Sequence, residues 1–289
     1  MKTASFAAPE TARDLTLVLN AAESRLQIVV GDAENSLLFS QEWHAPSRGV
    51  ELLMPALQSA FALYGLTSSR IRRIACVRGP GSFTGLRLVL ASASGLARST
   101  GARLAGLEYL PLLGLNARPL LELVGEHGTP LWVLTHARRN LVHAQAFRLR
   151  AESPYGLAPL TDILVLPVED DDPGLTLAAS MAALTPAGGY RAFVLGSGFY
   201  RNREAAVTTA LAKGLELLPL PESCGHPVPA TLLQAAADAE YSNVDIPPLY
   251  ARPCDAEENL ESIAGKLGLD PLKARQKLQK LTSGLPERL

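Results

Sequence analysis

Cysteine is scarce: Cys76, Cys224 and Cys254 are the only three in 289 residues, odd in number, far apart and without a CxxC pair. Such a set supports neither a disulfide framework nor a thiolate metal site, and a cytoplasmic, reducing location fits it. Histidine is equally thin, since His44, His127, His136, His143 and His226 make no HExxH spacing, so no metal site is expected. An excess of one charge is also missing. The 27 Lys and Arg nearly balance 28 Asp and Glu, and a formal net charge of −1 gives no global attraction to nucleic acid. Local basic positions remain at Arg70, Arg72, Arg73, Arg78 and Arg87, at Arg138 with Arg139, and at Arg201 with Arg203, without the interleaved aromatics of a nucleic-acid stripe. No apolar run is long enough to span a bilayer, which argues against a membrane role. Residues 1–14 hold one early lysine and no apolar h-region, so they are expected to form a loose, flexible extension. With 47% hydrophobic and 19% charged residues, the chain has the composition of a soluble globular protein, and its length suits two medium domains.

What the sequence does have is concentrated in Gly79-Pro80-Gly81-Ser82-Phe83-Thr84-Gly85-Leu86-Arg87. An apolar run with Ile71, Ile74, Ala75, Cys76 and Val77 precedes it as a strand pattern. Leu86, Val89, Leu90, Ala93, Leu96 and Ala97 follow at helical spacing. The loop therefore delivers a helix N-terminus, whose unpaired N–H groups and partial positive charge could meet an anion. A tight strand-to-helix turn, with Ser82 or Thr84 as N-cap and glycines meeting backbone geometry, explains the same residues. The loop lacks the Gly-Lys-Ser/Thr ending of a Walker A motif and the spacing of a dinucleotide fingerprint. Ser82 is not in a GxSxG elbow, and the scattered histidines offer it no base.

Short strands are predicted over 15–20, 25–31 and 36–42, joined by tight connections that make them antiparallel neighbours. A helix over 49–64, the strand at 71–77, the helix after the glycine loop, a strand at 103–107 and a helix from 110 toward 124 follow. Gly125 to Pro130 is a junction, after which 131–134 and 141–148 read as a hairpin and 163–166 as a strand. Asp170 to Gly174 introduces a helix over 175–184, and Arg191 to Leu195 is a strand before Gly196-Ser197-Gly198. After a Pro-rich stretch at 218–229, a helix is expected over 230–241, and two amphipathic helical patterns over 255–267 and 271–281, the second restarted by Asp270-Pro271. Three antiparallel strands followed by alternating helix and strand give a mixed α/β sheet.

The glycine loop, together with the small-residue helix Ala91-Ser92-Ala93-Ser94-Gly95-Leu96-Ala97, resembles the signature of the TsaB (YeaZ) family over roughly residues 15–253. The resemblance implies a two-domain actin-like ATPase (ribonuclease-H-like) fold. It would divide the chain into a first domain over 15–124, a second over 125–229, a return segment over 230–253, and a helical extension over 254–289 outside the family pattern. It further implies a non-catalytic partner of TsaD in threonylcarbamoyladenosine synthesis, with TsaD carrying the metal and the chemistry, the TsaE ATPase joining the pair, and tRNA contacted indirectly. Asn20 stands where the superfamily's ATPases usually hold a metal-positioning aspartate, and His136 replaces the acid of the family's Asp-Ala-Arg motif. The HxxxH by which TsaD holds its metal is absent. Gly196-Ser197-Gly198 resembles the second glycine turn, which lies near adenine in active relatives. No intrinsic cofactor is expected, and nucleotide at a subunit interface is left open. A metallopeptidase-like (glycoprotease) or nucleotide-hydrolysing enzyme is the competing reading.

Two helices carry more apolar surface than one sheet can cover. In 49–64, Val50, Leu53, Leu57, Phe61 and Tyr64 form one stripe and Leu52, Ala56, Ser59 and Leu63 another. The helix after the loop has a core stripe and a second face of Arg87, Ala91, Ser94, Gly95 and Arg98, small enough for close helix approach. Burial beneath the chain's own second domain and burial against a partner both satisfy this pattern. With the family resemblance, the second faces become the expected partner interface, toward TsaD or, in the isolated protein, toward a second copy.

Overall fold

The computed structural model describes residues 14–44, 48–125, 128–169, 176–184, 191–251, 264, 265, 270 and 273. Strands β1 (Leu15–Asn20), β2 (Leu26–Gly31) and β3 (Leu37–Trp43) are followed by helix α1 (Gly49–Leu63), β4 (Ile71–Gly79), α2 (Phe83–Thr100), β5 (Arg103–Glu108) and α3 (Tyr109–Val124). The chain continues through β6 (Leu131–Arg138), β7 (Leu141–Leu149), β8 (Leu157–Pro159), β9 (Leu164–Pro167), α4 (Leu177–Leu184) and β10 (Arg191–Leu195). It then runs through α5 (Ser197–Arg201), α6 (Arg203–Ala212), β11 (Glu216–Pro219) and α7 (Pro229–Ala237).

One topology occurs twice. The first sheet has the order β3-β2-β1-β4-β5, with β1–β2 and β2–β3 antiparallel and β1–β4 and β4–β5 parallel. The second sheet repeats it. There β6 pairs antiparallel with β7, β8 and β9 both lie against β7, and β10 pairs parallel with β6 and β11.

Both sheets are covered on both faces, which is why β1 and β2 are buried at every residue. Along β1, Leu17 and Leu19 join an outer core with Leu53, Leu57 and Phe61 of α1 and Val89 and Ala93 of α2, while Val18 between them points to the other side. That other side is a central core, where Tyr109, Leu110, Leu113 and Ala117 of α3 and Leu232 and Leu233 of α7 fill the space reached by Leu131, Val133 and Phe147 of the second sheet. Trp132 and Leu134 of β6 face a third core with α4, α5 and α6. Truncating one of these fully buried leucines to alanine typically costs about 2–5 kcal/mol.

Two covalent crossings join the sheets, α3 and the 220–228 segment. Asn116 on α3 fastens the second crossing by using all of its polar valences. Its Nδ2 donates to the Cys224 and His226 carbonyls at 3.1 and 3.0 Å, and its Oδ1 accepts from Val228 N and Thr231 Oγ1, each at 3.0 Å. Helix α7 thereby returns to β1, β2 and β3. Beyond it, Ser242 exchanges backbone hydrogen bonds with Leu104 at 2.7 and 2.9 Å, and Leu249 N donates to Arg78 O at 2.7 Å.

Residues 250–289 form a separate unit, of which few residues are described. Ala264, Gly265 and Lys273 are helical, and Asp270 Oδ1 accepts from Lys273 N at 3.3 Å, in keeping with a helix restart at Asp270. Residues 1–13, Cys254 and most of both expected tail helices lie outside the described residues.

Several boundaries differ from expectation. Helix α7 ends at Ala237 rather than 241, and β6 runs past Leu134 to Arg138. Two strands, β8 and β11, were not anticipated; they have only three and four residues and each ends in proline.

Candidate functional site

The glycine loop is built against the turn that joins β1 to β2. Ser82 N donates to Ala22 O at 2.6 Å, and Ser82 Oγ accepts from Gly85 N at 3.3 Å, which makes Ser82 rather than Thr84 the N-cap of α2. A Cβ on Gly81 would lie 2.1 Å from Ala22 O, and one on Gly85 would lie 2.1 Å from Ala21 O. The close approach that glycine permits is thus taken by the chain's own backbone at both positions. Gly79, at φ +129°, adopts a backbone that side chains rarely reach and lies under Leu249 O; the peptide bond from it to the buried Pro80 is cis. Phe83 is 42% exposed beneath the Arg87 guanidinium, 3.9 Å from its ring centroid.

Asn20, 2% exposed at the end of β1, is held in a closed network. Its Oδ1 accepts from Ala22 N at 3.0 Å and its Nδ2 donates to Gln27 Oε1 at 2.7 Å. The Gln27 amide in turn donates to Glu42 Oε2 at 2.8 Å and to Pro227 O at 2.9 Å. An aspartate at position 20 could not donate to Gln27, so the asparagine is matched to this network.

Sequence reasoning missed Glu23, the next polar side chain of the turn. Its Oε2 accepts from Tyr109 OH at 3.1 Å and its Oε1 from Ser197 Oγ at the start of α5, while Ser197 Oγ also accepts from His136 N at 3.0 Å. The carboxylate therefore ties the β1–β2 turn to the Gly196-Ser197-Gly198 turn of the other sheet. Burial pushes its pKa above the ordinary value, against the lowering effect of the Ser197 and Tyr109 hydrogen bonds and the Arg201 charge. His136 sits beside this junction with a buried Nδ1 that has no hydrogen-bond partner among the described residues. Its pKa is lowered, first by burial and then by Arg201. Nothing in the sequence singles out Glu23 among 28 acidic residues.

Glu23 also lines a cavity of about 30 Å³ with Ala21, Arg25, Gly49, Ser82 and Leu88, room for about one water. Among the described residues no group of three or more His, Cys, Asp or Glu is arranged to hold a metal, and no helix is long and apolar enough to cross a membrane.

The second faces of α1 and α2 lie on the outer side of the first sheet, opposite α3 and α7. On α1, Leu52 and Ala56 are half-buried and Ser59 and Leu63 exposed, Leu63 at 81%. On α2, Arg87, Ala91, Gly95 and Arg98 are exposed and Ser94 is half-buried, and a Cβ on Gly95 would meet no atom of the described residues within 4 Å. The first stripes hold the core as expected at Leu53, Leu57 and Phe61, though Val50 and Tyr64 of the α1 stripe are 71% and 44% exposed.

Residues 42–155, less than half of the chain, match the family described as "TsaD: tRNA N6-adenosine threonylcarbamoyltransferase". Comparison with curated proteins by sequence gives no match. Among solved structures, the chain is similar to an uncharacterized Pseudomonas aeruginosa protein described as similar to peptidase YEAZ. The TM-score is 0.60 and the identity 21%, over 83% of this chain and 100% of that one. It is also similar to YeaZ from Pseudomonas aeruginosa, with a TM-score of 0.59 and 19% identity over 82% of this chain and 99% of that one. These likenesses establish a shared fold, and the two mixed sheets flanked by helices agree with the expected α/β class. A segment similar to the TsaD family, carried on a fold shared with YeaZ, bears out the TsaB (YeaZ) resemblance of the glycine loop.

Proposed function

We propose that this chain is a non-catalytic subunit that pairs with a TsaD-family protein and supports threonylcarbamoyl transfer to the tRNA adenosine next to the anticodon. The observation that carries the reading is the outward surface of α1 and α2, where the exposed Ala91 and Gly95 and the half-buried Ser94 offer a small-residue seam, bordered at Arg98 by an ion pair to Asp245. A partner helix can approach such a seam closely, and the exposed Leu63 adds apolar area at the neighbouring helix. The family match over 42–155 and the shared YeaZ fold support placing that partner in the threonylcarbamoyladenosine pathway. In this reading TsaD carries the metal and the chemistry, TsaE joins the assembled pair, tRNA is contacted indirectly, and the protein works in the cytoplasm. A second copy occupies the seam when the partner is absent. The sequence has no HxxxH, and the Asn20 amide is committed to Gln27, which favours a supporting subunit over a metal-bearing transferase, a peptidase or a nucleotide hydrolase.

Complementation of a bacterial strain depleted of its own TsaB tests the proposal. Expression of this chain together with its own organism's TsaD is expected to restore threonylcarbamoyladenosine, measured in nucleoside digests of tRNA, and Ser94→Glu is expected to abolish the rescue. Transfer by the purified chain without any TsaD-family protein would contradict it.

A further inference from the structure

After α7 the chain runs as a strap along the edge of the first sheet. Among the strands β5 pairs only with β4, and its outer side is met by Ser242, which exchanges backbone hydrogen bonds with Leu104 at 2.9 and 2.7 Å. Farther on, Leu249 N donates to Arg78 O at 2.7 Å, so both ends of 242–249 are fixed to the sheet. Between them Ile246 turns inward, its Cγ2 standing 2.9 Å from where a Cβ on Gly106 would sit, and Pro247 and Pro248 restrict the backbone that follows. Val244 and Asp245 turn outward. Val244 is 69% exposed, and Asp245 Oδ2 accepts from Arg98 Nη2 at 2.7 Å. Ala91, Gly95 and Arg98 repeat at the i, i+4, i+7 spacing of one helix stripe, so the strap stands at the C-terminal end of the small-residue seam on α2.

We propose that the strap is a second wall of the partner surface, in which Val244 takes an apolar side chain of the TsaD-family protein and Asp245 positions Arg98. This rests on the reading that the outward face of α2 receives that protein, and it extends the surface beyond the two helices. A lone exposed valine is ordinary on a protein surface. What distinguishes Val244 is its setting: its backbone is anchored on both sides, so little freedom is lost when a partner packs on it, and its neighbour is tied to the seam. The Arg98–Asp245 pair is open to solvent, with side chains 73% and 57% exposed, and such a pair contributes little to folding. Its effect is geometric. It draws the long Arg98 side chain toward the strap, which leaves the Ala91 and Gly95 side of α2 open to a closely approaching helix.

Calorimetric titration of the full chain with the TsaD-family protein of the same organism tests this, comparing wild type, Val244→Glu, Val244→Ala, Asp245→Ala, Asp245→Glu and Ser94→Glu. Val244→Glu is expected to raise Kd about tenfold or more, and Val244→Ala to raise it less. Asp245→Ala is expected to raise Kd about threefold, and Asp245→Glu, which keeps the charge beside Arg98, to restore it. Thermal midpoints are expected to stay at the wild-type value, because both positions are exposed. A wild-type Kd in folded Val244→Glu, with binding impaired by Ser94→Glu, would reject the strap and leave the α2 face standing. A wild-type Kd in both variants, or no binding by wild type, would reject the strap together with the reading on which it rests. If Val244→Glu lowers the midpoint, Val244→Ala decides, and a wild-type Kd there rejects the strap. Val244→Glu that weakens self-association but not partner affinity would assign the strap to a second copy and overturn the proposal.

Discussion

Replacing Gly85 with alanine adds one methyl group to the first turn of α2, a change that ordinarily stabilises a helix by up to about 1 kcal/mol. Here the new carbon would sit 2.1 Å from the Ala21 carbonyl oxygen, whereas Cβ contacts below 3.0 Å essentially do not occur. Neither atom is on a flexible side chain, so α2 and the β1–β2 turn must part by about 1 Å. That separation stretches the 2.6 Å bond from Ser82 N to Ala22 O beyond hydrogen-bonding range. Losing the bond costs about 1 kcal/mol, and leaving a poorly hydrated carbonyl without a partner adds about 1–3 kcal/mol. After the helix-propensity gain is subtracted, Gly85→Ala is expected to lose about 2 kcal/mol, read as a lower urea midpoint at unchanged slope. Two controls on the same helix separate the causes. Gly95→Ala, whose Cβ meets no atom of the described residues within 4 Å, is expected to gain about 0.5–1 kcal/mol. Ser82→Ala is expected to lose about 1 kcal/mol as a missing cap. A Gly85→Ala protein as stable as wild type would refute the claim that the loop's glycines serve close backbone approach.

Other outcomes follow from the same contacts. Asn20→Asp removes the donor to Gln27 Oε1 and buries a carboxylate in the network that holds Glu42; a loss of about 2–4 kcal/mol is expected by denaturant titration, and an unchanged midpoint would show that the amide is not needed. Glu23 has a raised pKa in the folded protein, so from its ordinary value of 4.5 up to that raised value the folded state keeps a proton that the unfolded chain has lost. Wild-type stability relative to Glu23→Gln is therefore expected to fall as pH rises through this window and to level off on either side. A pH-independent difference in thermal midpoint would show that the carboxyl does not titrate as its surroundings require.

The parts of the fold that rest on local pattern were legible in the sequence. Tight connections at 21–24 and 32–35 implied antiparallel β1, β2 and β3, and the two stripes of α1 separated the core residues Leu53, Leu57 and Phe61 from the exposed Ser59 and Leu63, while Leu52 and Ala56 of the second face are half-buried against the outer core. The cap at Ser82 was one of two candidates, and the structure chose it through the Gly85 amide. Residues whose importance comes from distant chain were not legible. Asn116 is an ordinary helical asparagine until residues 224–231 fold back onto it, and Glu23 gains its role only when Ser197 arrives from the other sheet. The strand β11 was hidden because its four residues end at Pro219 and owe their place to parallel pairing with β10. The sequence could not show which backbone the glycines approach, and the positions of the Ala21 and Ala22 carbonyls supply it.

The central claim is that the outward face of α1 and α2 receives a TsaD-family partner, and co-purification addresses it most directly. Tagged wild-type chain, Ala56→Glu and Ser94→Glu would each be co-expressed with the untagged TsaD-family protein of the same organism. Wild type is expected to retain that protein through size-exclusion chromatography. A carboxylate placed in a close helix seam is expected to cost several kcal/mol and release it, while circular dichroism and thermal midpoint stay near wild type because both positions are only half-buried. Retention of the partner at wild-type affinity by folded Ala56→Glu and Ser94→Glu, or its absence from wild type, would contradict the account.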